Sequence, residues 1–160
     1  MSMPLQKPHR SKQDYQTPPE FLKALKNRLS IKDFSIDLAA SEENKVTSRF
    51  YDEEADALRQ CWDFAGWGFC NPPYANLADW TYKAATESSY YGCNIAMLVP
   101  ASVGSNWWRD YVDGIAHVLF LNGRITFVGA INVYPKDCAV LFYTPIVCGG
   151  YEIWAWHQGC

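Results

Sequence analysis

The residues best placed to do chemistry together are Asn71-Pro72-Pro73-Tyr74. The Asn side chain carries a carbonyl acceptor. A proline has no N–H, but its carbonyl is free to accept, and a Pro-Pro unit fixes where that carbonyl points. Tyr74 offers a flat face for a planar ring. An aromatic amine has two N–H donors and a nitrogen lone pair delocalised into its ring. Two acceptors placed on those donors pull the nitrogen toward tetrahedral geometry. They also stabilise the positive charge that grows as it attacks an electrophilic methyl group. No covalent nucleophile is needed. A base inside duplex DNA cannot reach such a loop while stacked, so it would have to be flipped out and held on an aromatic face. As a bare tetrapeptide, the same residues also make a rigid turn between a strand and a helix.

The surrounding pattern places this tetrapeptide on a strand end. Trp67-Gly68-Phe69-Cys70 reads as a short apolar strand that stops at the two prolines. Residues 77–89 follow with apolar positions Leu77, Trp80, Ala84 and Ala85 at helical spacing. Upstream, Thr17-Pro18-Pro19-Glu20 reads as a helix opening with a capping hydroxyl, a proline in the first turn and an early acid. Phe21, Leu22, Leu25 and Leu29 continue that helix to about Ser30. Residues 34–38 read as a strand ending in the small-residue turn Ala39-Ala40-Ser41. Asn94 to Val99 is a continuous apolar run, the pattern of a buried parallel strand. Asn106 to Val112 reads as helix and Ala116 to Leu121 as strand. Asn122-Gly123 then suggests a tight hairpin into Arg124 to Val128, and Cys138 to Tyr143 is a further buried strand. This order predicts a three-layer α/β domain with a mostly parallel sheet and an antiparallel C-terminal hairpin. Ligands in such sheets bind at the C-terminal strand ends, where Asp37 and Asn71 are both expected. Residues 1–13 read as a flexible arm and 14–160 as a single domain.

Composition bounds the partners. Of 160 residues 49% are hydrophobic, enough for a real core, and 16% are aromatic, serving core filling or base stacking. The net charge of −3 argues against a protein that coats nucleic acid, though not against a local basic face. Lys7, His9, Arg10 and Lys12 cluster near the N-terminus, where a solvated tail is the plainer reading. The six cysteines show neither CxxC nor zinc-finger spacing, so no metal is expected. Cys70, beside the tetrapeptide, reads as a buried strand residue, since a Pro-Cys nucleophile loop is absent. The N-terminus lacks the apolar core of a signal peptide, and no run is long enough to span a bilayer. The expectation is a reduced, cytoplasmic protein.

The chain resembles the phage-type Dam-like DNA N6-adenine methyltransferases, a small branch of the class I S-adenosylmethionine-dependent fold. The resemblance covers residues 14–143. It is carried by Gln16-Thr17-Pro18, by Asp37-Leu38-Ala39-Ala40-Ser41 with Asn44, by Asp56-Ala57-Leu58 and Trp62, and by Asn71-Pro72-Pro73-Tyr74. Leu98-Val99-Pro100-Ala101 with Trp107, then Gly123-Arg124 before Phe127, complete it.

The resemblance implies a Rossmann-like methyltransferase domain acting on DNA with S-adenosylmethionine. Asn71, Pro72, Pro73 and Tyr74 then form the target-amine site. Asp37, Ala39, Ala40 and Ser41 look like the cofactor loop, joined by Asn71. Thr17 and Pro18 look like the segment over the methionine end. Asp56 is the candidate for the cofactor's ribose or adenine, ahead of Asp52 and Asp63. Arg124, Lys12 and Trp107 are candidates for nucleic-acid contact, although Arg124 equally suits a surface ion pair. The cofactor loop lacks the glycines of larger class I enzymes. Two other readings stay open: a methyltransferase acting on RNA or protein glutamine, and a non-catalytic protein of this fold that binds nucleic acid.

Overall fold

The computed structural model describes residues 15–147 and 149–159. The expected arm, Lys12, Cys148 and Cys160 lie outside the described residues. Among the described residues six strands form one sheet, in the order β1-β2-β3-β5-β4-β6. They are β1 (Ile36–Asp37), β2 (Trp67–Cys70), β3 (Asn94–Pro100), β4 (His117–Leu121), β5 (Cys138–Tyr143) and β6 (Tyr151–Trp154). The β1–β2, β2–β3 and β4–β6 pairs are parallel, whereas β5 lies antiparallel to both β3 and β4. Five strands therefore share one direction, and only β5 opposes them. The C-terminal ends of β1, β2, β3 and β4 fall along one edge, the edge expected to carry the site.

Alternation along the strands decides what each side buries, because successive side chains leave a strand on opposite faces. Ile95, Met97 and Val99 of β3 join Cys70, Leu141 and Tyr143 in one apolar cluster, with Leu77, Trp80 and Ala84 from one helix, Trp108 from another and Val112 just past its end. Ala96 and Leu98 join Phe69, Leu119 and Val140 in a second cluster, with Phe21, Ala24 and Leu25 of helix α1. The helices are α1 (Pro19–Leu29), α2 (Leu77–Tyr91) and α3 (Asn106–Tyr111). Helix α1 presents one buried face because Phe21, Ala24 and Leu25 recur at helical spacing.

Two local expectations change. The N-cap of α1 is Pro18, and no side chain caps it. Pro19 at the first helical position needs no hydrogen bond for its missing N–H, and the Thr17 hydroxyl bonds elsewhere. The Asn122-Gly123 pair does not close a two-residue hairpin. Strands β4 and β5 are antiparallel neighbours, but residues 122–137 form a long loop between them. Gly123 sits at φ +112°, and a Cβ there would lie 2.0 Å from Nε2 of His157. Its carbonyl accepts from the Trp156 indole at 2.9 Å. The glycine thus admits the C-terminal aromatic turn rather than a tight reversal.

Phe21 couples α1 to the chain's far end. It is fully buried and meets the Trp156 ring edge-on at 5.2 Å and Trp154 at 5.9 Å. Phe21→Ala is expected to cost about 3–5 kcal/mol, read as a lowered midpoint in equilibrium urea unfolding.

Candidate active site

Asn71 directly follows β2 and is 5% exposed. Its amide nitrogen donates to the Tyr15 carbonyl at 3.0 Å and to the Thr17 hydroxyl at 3.3 Å. Both donors of the amide are therefore used, and the orientation of the group is fixed. The other end, Oδ1, is buried and meets no donor among the described residues. A buried acceptor left open is uncommon and points to a partner outside the chain. Thr17 and Pro18 are both buried, and the Thr17 hydroxyl is the group that meets Asn71.

Pro73 begins the exit from the strand. Its carbonyl accepts from the Asn76 N–H at 3.2 Å as the chain enters a 3₁₀ turn, Tyr74–Asn76, ahead of α2. Tyr74 is half-buried, and its hydroxyl is enclosed without a hydrogen-bond partner among the described residues. Burial raises its pKa well above the ordinary phenol value. The ring belongs to an aromatic group. Tyr134 meets it edge-on at 5.8 Å and Tyr15 lies at 6.0 Å, while Tyr15 stacks on Phe127 at 4.8 Å and 11°. Tyr134 is itself pushed up to about 12, mainly by burial. Cys70 is fully buried, and burial followed by the charge of Asp37 raises its thiol well above the usual range. A thiol so disfavoured as thiolate is inert, which matches its reading as a strand residue.

Asp37 is 2% exposed at the end of β1. Its carboxylate accepts from the Ala39 N–H at 3.2 Å and the Val46 N–H at 3.0 Å. It thus ties the small-residue turn to the segment that returns beside it. Burial pushes its pKa up to about 7, against the lowering by those two bonds. Ala39 and Ala40 are buried, and Ser41 and Asn44 bond each other's backbone N–H groups at 2.7 and 3.3 Å.

A cavity of about 180 Å³ lies against this turn, lined among others by Leu38, Asp52, Asp56, Pro73, Asn76 and Trp80. Asp52 spends one oxygen on the Ala55 N–H at 2.8 Å. Asp56 holds a left-handed backbone, φ 51° and ψ 83°, sparsely populated for any residue but glycine. Asp63 is exposed and does not line the cavity. The structure therefore brings Asp52 and Asp56 to one cavity and leaves Asp63 outside it. A larger, shallow depression of about 650 Å³ lies around Glu87, Ser89 and Tyr90, at the opposite end of α2 from Tyr74. It holds none of the groups described here.

Trp107 is half-buried beside Trp108, with ring centres 5.5 Å apart. Arg124 is exposed and pairs with Asp137 at 3.0 Å. No metal-binding cluster and no helix long and apolar enough to cross a membrane occur among the described residues. Sequence reasoning gave no role to Tyr15, Phe127 or Tyr134. Aromatic residues spread over three segments carry no spacing signal, and only folding gathers them.

Asp37 sets a pH dependence. Unfolded, its carboxyl loses the proton at about pH 4; folded, it keeps it to about 7. Between these values the unfolded chain binds fewer protons. The group's contribution is therefore full below about pH 4 and falls as pH rises, by at most about 1.4 kcal/mol per pH unit. It stops falling above about pH 7. Asp37→Asn is expected to flatten this part of the slope when denaturant midpoints are measured from acid to neutral pH.

A DNA N-6-adenine-methyltransferase of Escherichia phage T1 is 30% identical over 128 residues, covering 80% of this chain and 52% of that protein. A DNA N-6-adenine-methyltransferase of Haemophilus phage HP1 (strain HP1c1) is 25% identical over 96 residues, covering 59% of this chain and 55% of the relative. The chain spans about half the length of these relatives. The DNA N-6-adenine-methyltransferase (Dam) family matches residues 5–140, a stretch that contains Asn71, its partners Tyr15 and Thr17, the acids of the cavity and the aromatic group. By that match, the chain belongs to the DNA N-6-adenine-methyltransferase (Dam) family.

Proposed function

We propose that this chain transfers a methyl group from S-adenosylmethionine to the exocyclic N6 amine of an adenine flipped out of DNA. The domain would be a three-layer Rossmann-like methyltransferase fold over residues 14–160, working in the cytoplasm of a host cell. The observation that carries the reading is the Asn71 amide. Its donors are held by Tyr15 and Thr17, and its buried oxygen is left open at the end of a parallel strand.

The chemistry follows from that arrangement. Asn71 Oδ1 and the Pro72 carbonyl accept from the two N–H groups of the amine, since the Pro73 carbonyl is engaged by Asn76. Acceptors fixed before the reaction stabilise the charge that develops on the nitrogen without reorganising. Tyr74 stacks on the base. The enclosing aromatic side chains keep water away and strengthen both hydrogen bonds.

The residues present fit S-adenosylmethionine. The cavity volume of about 180 Å³ is smaller than the roughly 300–1,000 Å³ of a whole small-molecule site, and so suits the nucleoside end of the cofactor. The Asp56 carboxylate would accept from ribose hydroxyls, with Leu38, Pro73 and Trp80 as apolar walls. Asp37, Ala39, Ala40 and Ser41 would shape the turn that the cofactor approaches, and Thr17 and Pro18 would cover its methionine end. When bound, the cofactor supplies an electrophilic methyl on a sulfonium. Arg124, Trp107 and Lys12 are the proposed DNA contacts.

Labelled methyl from S-adenosylmethionine should appear in N6-methyladenine of unmethylated duplex DNA. Asn71→Ala should lower the rate about 10²–10³-fold or more, with the cofactor still bound by calorimetry. Label in RNA or protein instead of DNA, or no cofactor binding, would sink the reading. Thr17→Val should lower kcat roughly tenfold by freeing the Asn71 amide, a loss of order one hydrogen bond. Thr17→Ser should restore it. A rise in the cofactor's Kd at unchanged kcat would instead make Thr17 a cofactor contact.

A further inference from the structure

The loop between β4 and β5 is long for a connection between adjacent antiparallel strands, and long ordered loops are usually functional. Its stem is fixed. Ile125 and Phe127 are buried, the Tyr134 N–H donates to the Ile125 carbonyl at 2.7 Å, and the Val128 N–H donates to the Gln16 carbonyl at 3.0 Å. The Asp137 carbonyl accepts from the Ala101 N–H at 2.9 Å, just past β3. Through Tyr134 and Phe127 the stem builds the aromatic group around Tyr74 and Tyr15. The tip has the opposite character. The chain turns at Gly129, φ +83°, and Ile131 is 96% exposed, with Val128 and Val133 each 46% exposed. Single exposed apolar residues are ordinary, but three β-branched ones within six positions form a patch. Cations flank it: Lys136, with no acid partner among the described residues, and Arg124, whose exposed pair with Asp137 exchanges readily for phosphate.

We propose that this loop opens the duplex, with Ile131 as an apolar wedge that fills the gap left when the adenine swings onto Tyr74. The proposal rests on the methylation reading above. DNA is the occupant for two reasons. The tip is continuous with the base-holding aromatic group, and apolar wedges between base steps, with phosphates held by nearby cations, are how proteins stabilise an unstacked step. The held stem fixes where the wedge stands relative to the site, because Phe127 and Tyr134, which bracket the tip in sequence, pack with Tyr15 and Tyr74. Asp137, the one acid on this loop, sits at its base beside Arg124.

The test compares duplex DNA with single strands of the same sequence, using the full chain and labelled S-adenosylmethionine. Single strands leave no gap to fill. Ile131→Asp is expected to lower kcat/KM on duplex about tenfold, the scale of one lost specific DNA contact, and to lower it far less on single strands. Ile131→Met, which keeps an apolar wedge, should stay close to the unaltered chain on both. A second readout uses duplex carrying 2-aminopurine in place of adenine. The unaltered chain should raise its fluorescence on binding, and Ile131→Asp should bind without that rise. Equal losses on both substrates, no loss on duplex, or an undiminished fluorescence rise would overturn the wedge while leaving methylation intact. Absence of methyl transfer to any DNA by the unaltered chain would instead overturn the methylation reading beneath it. Because the side chain is almost fully exposed, the variants should unfold at the same denaturant concentration as the parent.

Discussion

A carboxamide can satisfy its surroundings in two orientations, and the site depends on which one Asn71 adopts. The Thr17 hydroxyl and the Tyr15 carbonyl, more than fifty positions upstream, take the amide's two N–H groups. That leaves the oxygen as the only end free to meet a ligand. Rotating the amide by half a turn would set its N–H groups toward the open side and strand the Tyr15 carbonyl. The segment before α1 is therefore part of the site, and the packing of Phe21 beneath Trp154 and Trp156 holds it there. An unsatisfied buried acceptor costs free energy, so the stability of the fold offsets a feature that only a ligand can satisfy.

The sheet explains why such distant pieces converge. Strands β1 and β2 are parallel neighbours, with Asp37 registered against Phe69 two residues before Asn71. Their C-terminal ends consequently place the Asp37 turn and the Asn71 loop side by side. Strand β4 runs the same way, so its outgoing loop reaches the same edge and supplies Phe127 and Tyr134. The antiparallel β5 returns from that loop between β3 and β4 and anchors its end beside Pro100. One edge thus collects a clamped turn, an oriented acceptor and an aromatic wall.

Asp37 and Asp56 show two uses of an acid near one cavity. Asp37 is buried with both oxygens on backbone N–H groups, and it shapes the turn from within. Asp56 lines the cavity on a backbone that most residues avoid. Strain of this kind persists where surrounding structure enforces it, as at ligand sites. The net charge of −3 is distributed unevenly, since acids line the cavity while the cations Arg124 and Lys136 of the β4–β5 loop are exposed.

By itself the sequence determined the period-two strands, the helices at 3.6-residue spacing and the placement of Asn71-Pro72-Pro73-Tyr74 at a strand end. These are local signals, since side-chain direction and proline geometry act over a few residues. It also made Asp37 and Asn71 candidates for one site, through the rule that parallel strands end together. Tertiary structure decided the rest. The Thr17 hydroxyl reads locally as a helix cap, and only long-range packing turns it toward Asn71. Asn122-Gly123 reads locally as a tight turn, yet the approach of Trp156 and His157 claims that glycine for a different bend. The grouping of Tyr15, Tyr74, Phe127 and Tyr134 has no trace in spacing. Hydrogen-bond partners and aromatic neighbours are chosen by where the sheet delivers each segment, and a linear pattern does not encode that distance.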